Sequence, residues 1–139
     1  MYSISFEVRT GSAPAVVEIT RLIEQALAGR GDGLAHVFVP HATAGLALIE
    51  TGSGSERDLL DRLDALLPRD ARYHHEHGAA GHGRDHLVPA FLPPALVLPV
   101  RGGRLELGRW QSLVLVDTNL DNPVRTVQVT FLRAAKEAE

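Results

Sequence analysis

From the first residue the chain alternates. Tyr2, Ile4, Phe6 and Val8 fall on one side, and Ser3, Ser5, Glu7 and Arg9 on the other, the period of a half-buried strand over Met1–Arg9. A turn at Thr10–Ala13 follows, and the spacing becomes helical. Pro14 suits a first helical turn, and Val16, Ile19, Leu22, Ile23, Ala26 and Leu27 recur on one face until Gly29 and Gly31 close it. Leu34–Val39 reads as a buried strand. The stretch Pro40–Glu50 then passes small residues at Ala42–Gly45 and alternates again, with Leu46 and Leu48 on one face and Ala47 and Ile49 on the other.

Ser53 and Glu56 have the spacing of a capping box. The helix they predict carries Leu59, Leu60, Leu63, Leu66 and Leu67 and stops at Pro68. Arg69–Pro89 has no clean period and is predicted as a long ordered loop, a kind of segment that is often functional. Strands are predicted at Leu96–Val100, from Leu105 to Leu107, at Leu113–Val116 and over Thr126–Phe131. Gly102–Gly103 sits at a tight hairpin, Thr118–Pro123 forms a turn, and Ala134–Glu139 is a frayed tail. Six to eight strands joined mostly by hairpins, with two helices, predict a single α+β domain over residues 1–139. Its sheets should be mainly antiparallel or mixed, sandwich-like, and covered by the helices.

Composition narrows the chemistry. The 139 residues carry a formal net charge of -3 and no cysteine. The charge offers nothing to nucleic acid or an anionic membrane, and no apolar stretch reaches membrane-spanning length. Disulfides and thiolates are excluded, so metal ligation falls to histidine and carboxylate. The absence of cysteine and of an export-type N-terminus makes the cytoplasm the expected compartment.

Five of the seven histidines lie in Tyr73–His86. Neutral imidazole binds zinc-like ions and also moves protons near neutral pH. No H-E-x-x-H pattern is present. His82 and His86 have the spacing of one helix face, but Gly81 and Gly83 argue against a helix there. His41 follows Pro40 at a strand edge beside small residues that leave room for a ligand, whereas His36 alternates within a strand and reads as structural. Glu50 ends an apolar run, Asp58 lies in an early helical turn, and Arg125 has the fork that grips phosphate in a bidentate manner. Gly52–Ser55 could present backbone N–H groups to phosphate, and capping explains the same residues. Trp110 reads as core, with Gln111 bonding backbone at a bend.

In order, these segments resemble the YjbQ-like family, often labelled a secondary thiamine-phosphate synthase enzyme family. The family pattern H-T-[TS]-A-x-L-x-[LIV]-N-E resembles His41–Glu50. Its helical Asp matches Asp58, allowing a one-residue length difference. Tyr73–His75, His86–Leu87, Pro99–Val100, Gly103–Gln111 and Arg125 match its later motifs. The chain departs from the pattern at Ala42, at Ile49, at Gly52–Ser55 where the usual Asp-Pro is missing, at Asp117 where a Glu is usual, and at Asn122–Val124 before the final Arg.

The resemblance implies an α+β domain that assembles as a homotrimer, with a His-rich cavity near a subunit contact. It also implies thiamine-phosphate synthase-like activity, which couples a hydroxymethylpyrimidine diphosphate to a thiazole phosphate and releases pyrophosphate. On this reading His41, Glu50, Asp58, His75, His86 and Arg125 are catalytic. His41, His75 and His86 would be zinc ligands, or magnesium would act with a diphosphate substrate. The alternatives are a metal-dependent hydrolase of a small phosphorylated metabolite and a non-catalytic metal- or metabolite-binding trimer.

Overall fold

The change from strand to helix near residue 19 fixes the first corner of the molecule. The computed structural model describes residues 1–70 and 72–136. In it β1 (Tyr2–Arg9) is followed by a short strand, β2 (Ala15–Glu18), and only then by helix α1 (Thr20–Leu27). The helical reading therefore began too early. Val16 and Val17 are β-branched neighbours that favour a pleated strand. Val17 packs toward the main core, and Val16 toward a second core on the other side of its sheet. Ile23 and Leu27 of α1 are fully buried.

The remaining elements are β3 (Gly33–Phe38), β4 (Ala44–Ile49), α2 (Ser55–Leu66), α3 (His82–Asp85), α4 (Val88–Phe91), β5 (Ala95–Arg101), β6 (Arg104–Leu105), β7 (Ser112–Asp117) and β8 (Val124–Arg133). They form a five-stranded sheet in the order β1-β8-β3-β5-β6 and a three-stranded sheet in the order β2-β7-β4. Every strand pairing among the described residues is antiparallel. This is the α+β architecture expected, in one continuous fold.

Alternation determines the layers. Ala35, Val37, Leu98, Val127, Val129 and Phe131 of the large sheet meet Leu46, Leu113 and Leu115 of the small one, with α1 filling the same core. On the other face of the small sheet, Val114 and Val116 pack with Leu63, Leu59 and Leu60 of α2. The helices thus serve different cores: α1 seals the space beside both sheets, and α2 covers the back of the small sheet. β4 is covered on both sides, so its run can be almost wholly apolar.

Two local expectations shift. α2 starts at Ser55 behind Gly54, which has φ +102°, and no side chain caps it. The Glu56 carboxylate instead accepts the Gly52 N–H at 3.0 Å, half of a capping box displaced outward. Trp110 is 67% exposed and is not core. Gln111 does bond backbone, its Oε1 accepting the Gly108 N–H at 2.7 Å. Of the expected tail, Ala134 donates its N–H to Asp32 O at 2.9 Å; residues 137–139 lie outside the described residues.

Candidate metal centre

Arg69–Pro89 is less irregular than its sequence pattern implies. It contains the single helical turn α3, and α4 begins just before its end. The glycines that argued against a helix explain how this one is placed. Gly81 has φ +77° and lies immediately before α3. A Cβ on Gly83 would sit 2.7 Å from the Tyr73 Cβ and 2.8 Å from the His75 carbonyl oxygen. Glycine therefore lets residues 73–75 cross directly over the helical turn, which brings His75 against His82 and His86.

Four imidazoles gather there. Ring centroids lie 3.9 Å apart for His75–His77, 4.0 Å for His75–His86 and 4.7 Å for His82–His86. The widest pair, His77–His86, is 5.8 Å apart. His75, His82 and His86 offer ring nitrogens that all lie within 4.8 Å of one another. Tetrahedral zinc with 2.0–2.1 Å bonds needs ligand nitrogens about 3.3 Å apart, so small adjustments of these rings would suit such an ion. His82 Nε2 and His86 Nε2 are 2.9 Å apart, so one donates to the other when no cation lies between them. The Nδ1 atoms of His75 and His82 are buried without an aligned hydrogen-bond partner. An all-imidazole donor set favours zinc and its transition-metal neighbours over magnesium, which prefers oxygen.

The surroundings disfavour the charged forms of two of these rings. Burial, then the charges of His77 and His82, lower the His75 pKa below its ordinary value. Burial also lowers that of His86, with His75, His82 and His77 adding to the effect and Asp85 opposing it. Both effects favour the unprotonated form that ligates a cation. Beside the cluster is a polar-lined cavity of about 260 Å³, bounded by residues 73 and 75–83.

A buried scaffold fixes α3. Asp85 is 1% exposed. Its Oδ1 accepts Thr118 Oγ1 at 2.7 Å, Arg69 Nη2 at 3.2 Å and Arg84 Nε at 3.3 Å, and its Oδ2 accepts Arg69 Nη1 at 3.3 Å. Arg69 also donates to the Thr118 carbonyl. Arg84, equally buried, donates to Asp64 Oδ1 at 2.6 Å and to Leu67 O at 3.1 Å. Asp121 Oδ2 lies 3.3 Å from His82 Nδ1. None of Arg69, Arg84, Asp85, Thr118 and Asp121 stood out in the sequence. The usable signal was an Arg-Asp pair directly between two histidines in a glycine-rich loop.

The structure places the three expected histidines in two locations. His75 and His86 come together, but the third imidazole is His82, and His41 lies outside the group. His41 Nε2 accepts the Thr126 N–H at 2.8 Å. Burial and then the Arg125 charge lower its pKa, against the opposing charge of Asp117. The room expected beside Ala42–Gly45 is occupied by protein. A Cβ on Gly45 would run into the Leu92 backbone, and Leu46 N–H donates to Pro93 O at 2.9 Å.

Arg125 is 2% exposed and faces inward. Its Nε and Nη2 grip Asp117 at 2.6 and 2.9 Å, and Nη2 also donates to Thr43 Oγ1 at 2.8 Å. The fork that the sequence offers to phosphate is therefore engaged by the protein's own carboxylate. Glu50 and Asp58 are exposed, at the end of β4 and in the first turn of α2, and take no part in the cluster's hydrogen bonds.

Residues 4–134 match the family model described as UPF0047 protein YjbQ-like. A UPF0047 protein of Mycobacterium tuberculosis strain H37Rv is 56% identical over 117 residues, covering 84% of this chain and 88% of that protein. The UPF0047 protein YjbQ of Salmonella typhimurium is 32% identical over 100 residues, 71% of this chain and 72% of that protein. Among solved structures, a hypothetical protein from Aeropyrum pernix superposes with a TM-score of 0.85 at 31% identity, over 96% of this chain and all of that one. A conserved hypothetical protein from Thermus thermophilus gives 0.80 at 38% identity, over 93% and 99%.

Proposed function

Starting from the YjbQ-like UPF0047 family, to which this chain belongs, we propose that the protein binds a zinc-like ion through His75, His82 and His86. On this reading it is a metal-dependent hydrolase of a small phosphorylated metabolite. The observation that carries the proposal is the convergence of three ring nitrogens within 4.8 Å. When bound, such an ion supplies Lewis acidity and a water that ionises near neutral pH. The chain's own contribution is to hold three imidazoles together, leave one side open to the 260 Å³ cavity, and limit its occupant to a small polar group.

Thiamine-phosphate synthase-like transfer, which the family resemblance implies, requires cationic groups to hold a leaving diphosphate. The engagement of Arg125 by Asp117 makes hydrolysis the reading we adopt. We extend the proposal to a homotrimer. Leu34, Val97 and Leu132 stand exposed on the outer face of the five-stranded sheet, apolar surface that assembly would cover. His41, Glu50 and Asp58 retain a proposed role in a site shared between copies. No described helix is long and apolar enough to cross a membrane.

The test uses protein purified without a histidine tag. Elemental analysis should find one equivalent of zinc or a similar ion per chain, and His82→Ala should lose it. The loaded wild type should release phosphate from small phosphorylated metabolites, and the variant should not. Metal binding that survives in His82→Ala defeats the site. Loaded protein inert toward such substrates reduces the reading to a metal-binding protein.

A further inference from the structure

The two nitrogens of His82 face different surroundings. Nε2 points into the cluster, 2.9 Å from His86 Nε2. Nδ1 points away, is buried, and lacks an aligned partner. A ligating histidine normally donates its second N–H to a carboxylate or carbonyl, which fixes both tautomer and ring orientation.

Two carboxylates lie near Nδ1, and they are not equivalent. Asp85 Oδ2 is 3.8 Å away. It already accepts Arg69, and its other oxygen accepts three donors, so its electron density is directed toward cations and a hydroxyl. Asp121 Oδ2 is closer, at 3.3 Å, and among the described residues it accepts only the Ala79 N–H, at 3.1 Å. That bond fixes the residue whose carbonyl accepts the His82 N–H at 2.9 Å. The Asp121 N–H is itself held by Asn119 Oδ1 at 3.0 Å. One carboxylate therefore stands beside the ring of His82 and secures the backbone leading into it.

We infer that Asp121 is the positioning residue for His82. It accepts the Nδ1 proton and leaves the Nε2 lone pair directed at the metal. The inference rests on the reading that His75, His82 and His86 hold a metal. Asp121 is not itself a ligand, because it contacts the cluster through the ring nitrogen that faces away from it.

Titration of chelator-stripped protein with Zn²⁺ and Co²⁺ tests this in wild type, Asp121→Ala and Asp121→Asn. The alanine variant should bind Zn²⁺ about 10–100-fold more weakly. The asparagine variant should recover part of that loss, because its amide oxygen still accepts Nδ1–H. The Co²⁺ absorption bands of the loaded alanine variant should match wild type, since the ligand atoms are the same. The urea midpoint of the stripped protein should fall only slightly, the Asp121 side chain being 41% exposed and its bond to Ala79 lying at the surface.

Equal Zn²⁺ affinity in wild type and Asp121→Ala overturns the inference while leaving the metal site standing. Shifted Co²⁺ bands overturn it by making Asp121 a ligand, and so does an asparagine variant as weak as alanine. No binding in wild type overturns both the inference and the metal reading beneath it.

Discussion

Two polar clusters lie in this fold, and they are finished to different degrees. In the first, Arg125 and Asp117 are almost wholly buried. Asp117 also accepts Thr10 Oγ1 at 2.6 Å and the Asn119 N–H at 3.0 Å, and Thr43 accepts both Arg125 and Asn119. Opposite charges meet and the surrounding donors are matched. In the second, four imidazoles crowd together, the Nδ1 of His75 is buried without a partner, and a cavity adjoins them. A saturated buried network fixes a structure, whereas an unsaturated one has capacity for something the chain does not itself supply.

Breaking the saturated cluster should have the larger effect on stability. Arg125→Met leaves the Asp117 carboxylate buried without its cation, which costs about 3–5 kcal/mol. The urea midpoint should fall accordingly, and a near-wild-type midpoint would show that water reaches Asp117. Gly83→Ala attacks the other cluster through its backbone. Residues 73–75 must move off α3, an overpacking cost of about 1–3 kcal/mol. Zinc titration should show weakened binding in the same variant; unaltered affinity would mean that the crossing does not set the histidine geometry.

A third test is pH. The folded pKa of His41 is lowered, so the unfolded chain takes up the proton first. Stability from this group is complete above about 6.5 and is lost as pH falls through the window below it. His41→Gln, which keeps an acceptor for the Thr126 N–H, should flatten the decline of the metal-free protein's urea midpoint over that window. His75 and His86 are lowered in the same direction and should leave a residual slope. An unchanged slope would remove His41 from the explanation. The smallest effect is expected at Glu50, which is exposed and outside both clusters. Glu50→Gln should shift stability by no more than about 0.5 kcal/mol. Thermal denaturation checks this, and a larger change would make Glu50 a structural residue of the fold rather than one kept only for the proposed shared site.

The strands were legible because period-two alternation survives wherever a sheet separates two environments. β1, β3 and β8 read correctly for this reason, and β4 could be read despite being covered on both faces. β2 was not legible: four residues are too few to distinguish a strand from the start of a helix, and tertiary pairing with β7 decided the matter. In the site, His75 and His86 could be selected by type and order. His82 was discounted on glycine propensity, yet those glycines make the close crossing that builds the cluster. Arg125 was recognisable as special but not as internal, because its partner Asp117 is eight residues away and meets it across the β7–β8 turn.

That turn has a kinetic consequence. Thr118 bonds Asp85, Asn119 bonds Thr43, and Asp121 adjoins His82. These contacts close chain loops of 33 and 76 residues, as the hydrogen bonds themselves span. Long loops close late and lose more entropy on closing than local turns. The histidines themselves lie within eleven residues of one another, so their turn can form locally, whereas its anchors on Thr118 and Asp121 wait until β7 and the turn after it are in place. A chain emerging from synthesis therefore carries the imidazoles well before it carries the Thr118 and Asp121 contacts that hold their geometry.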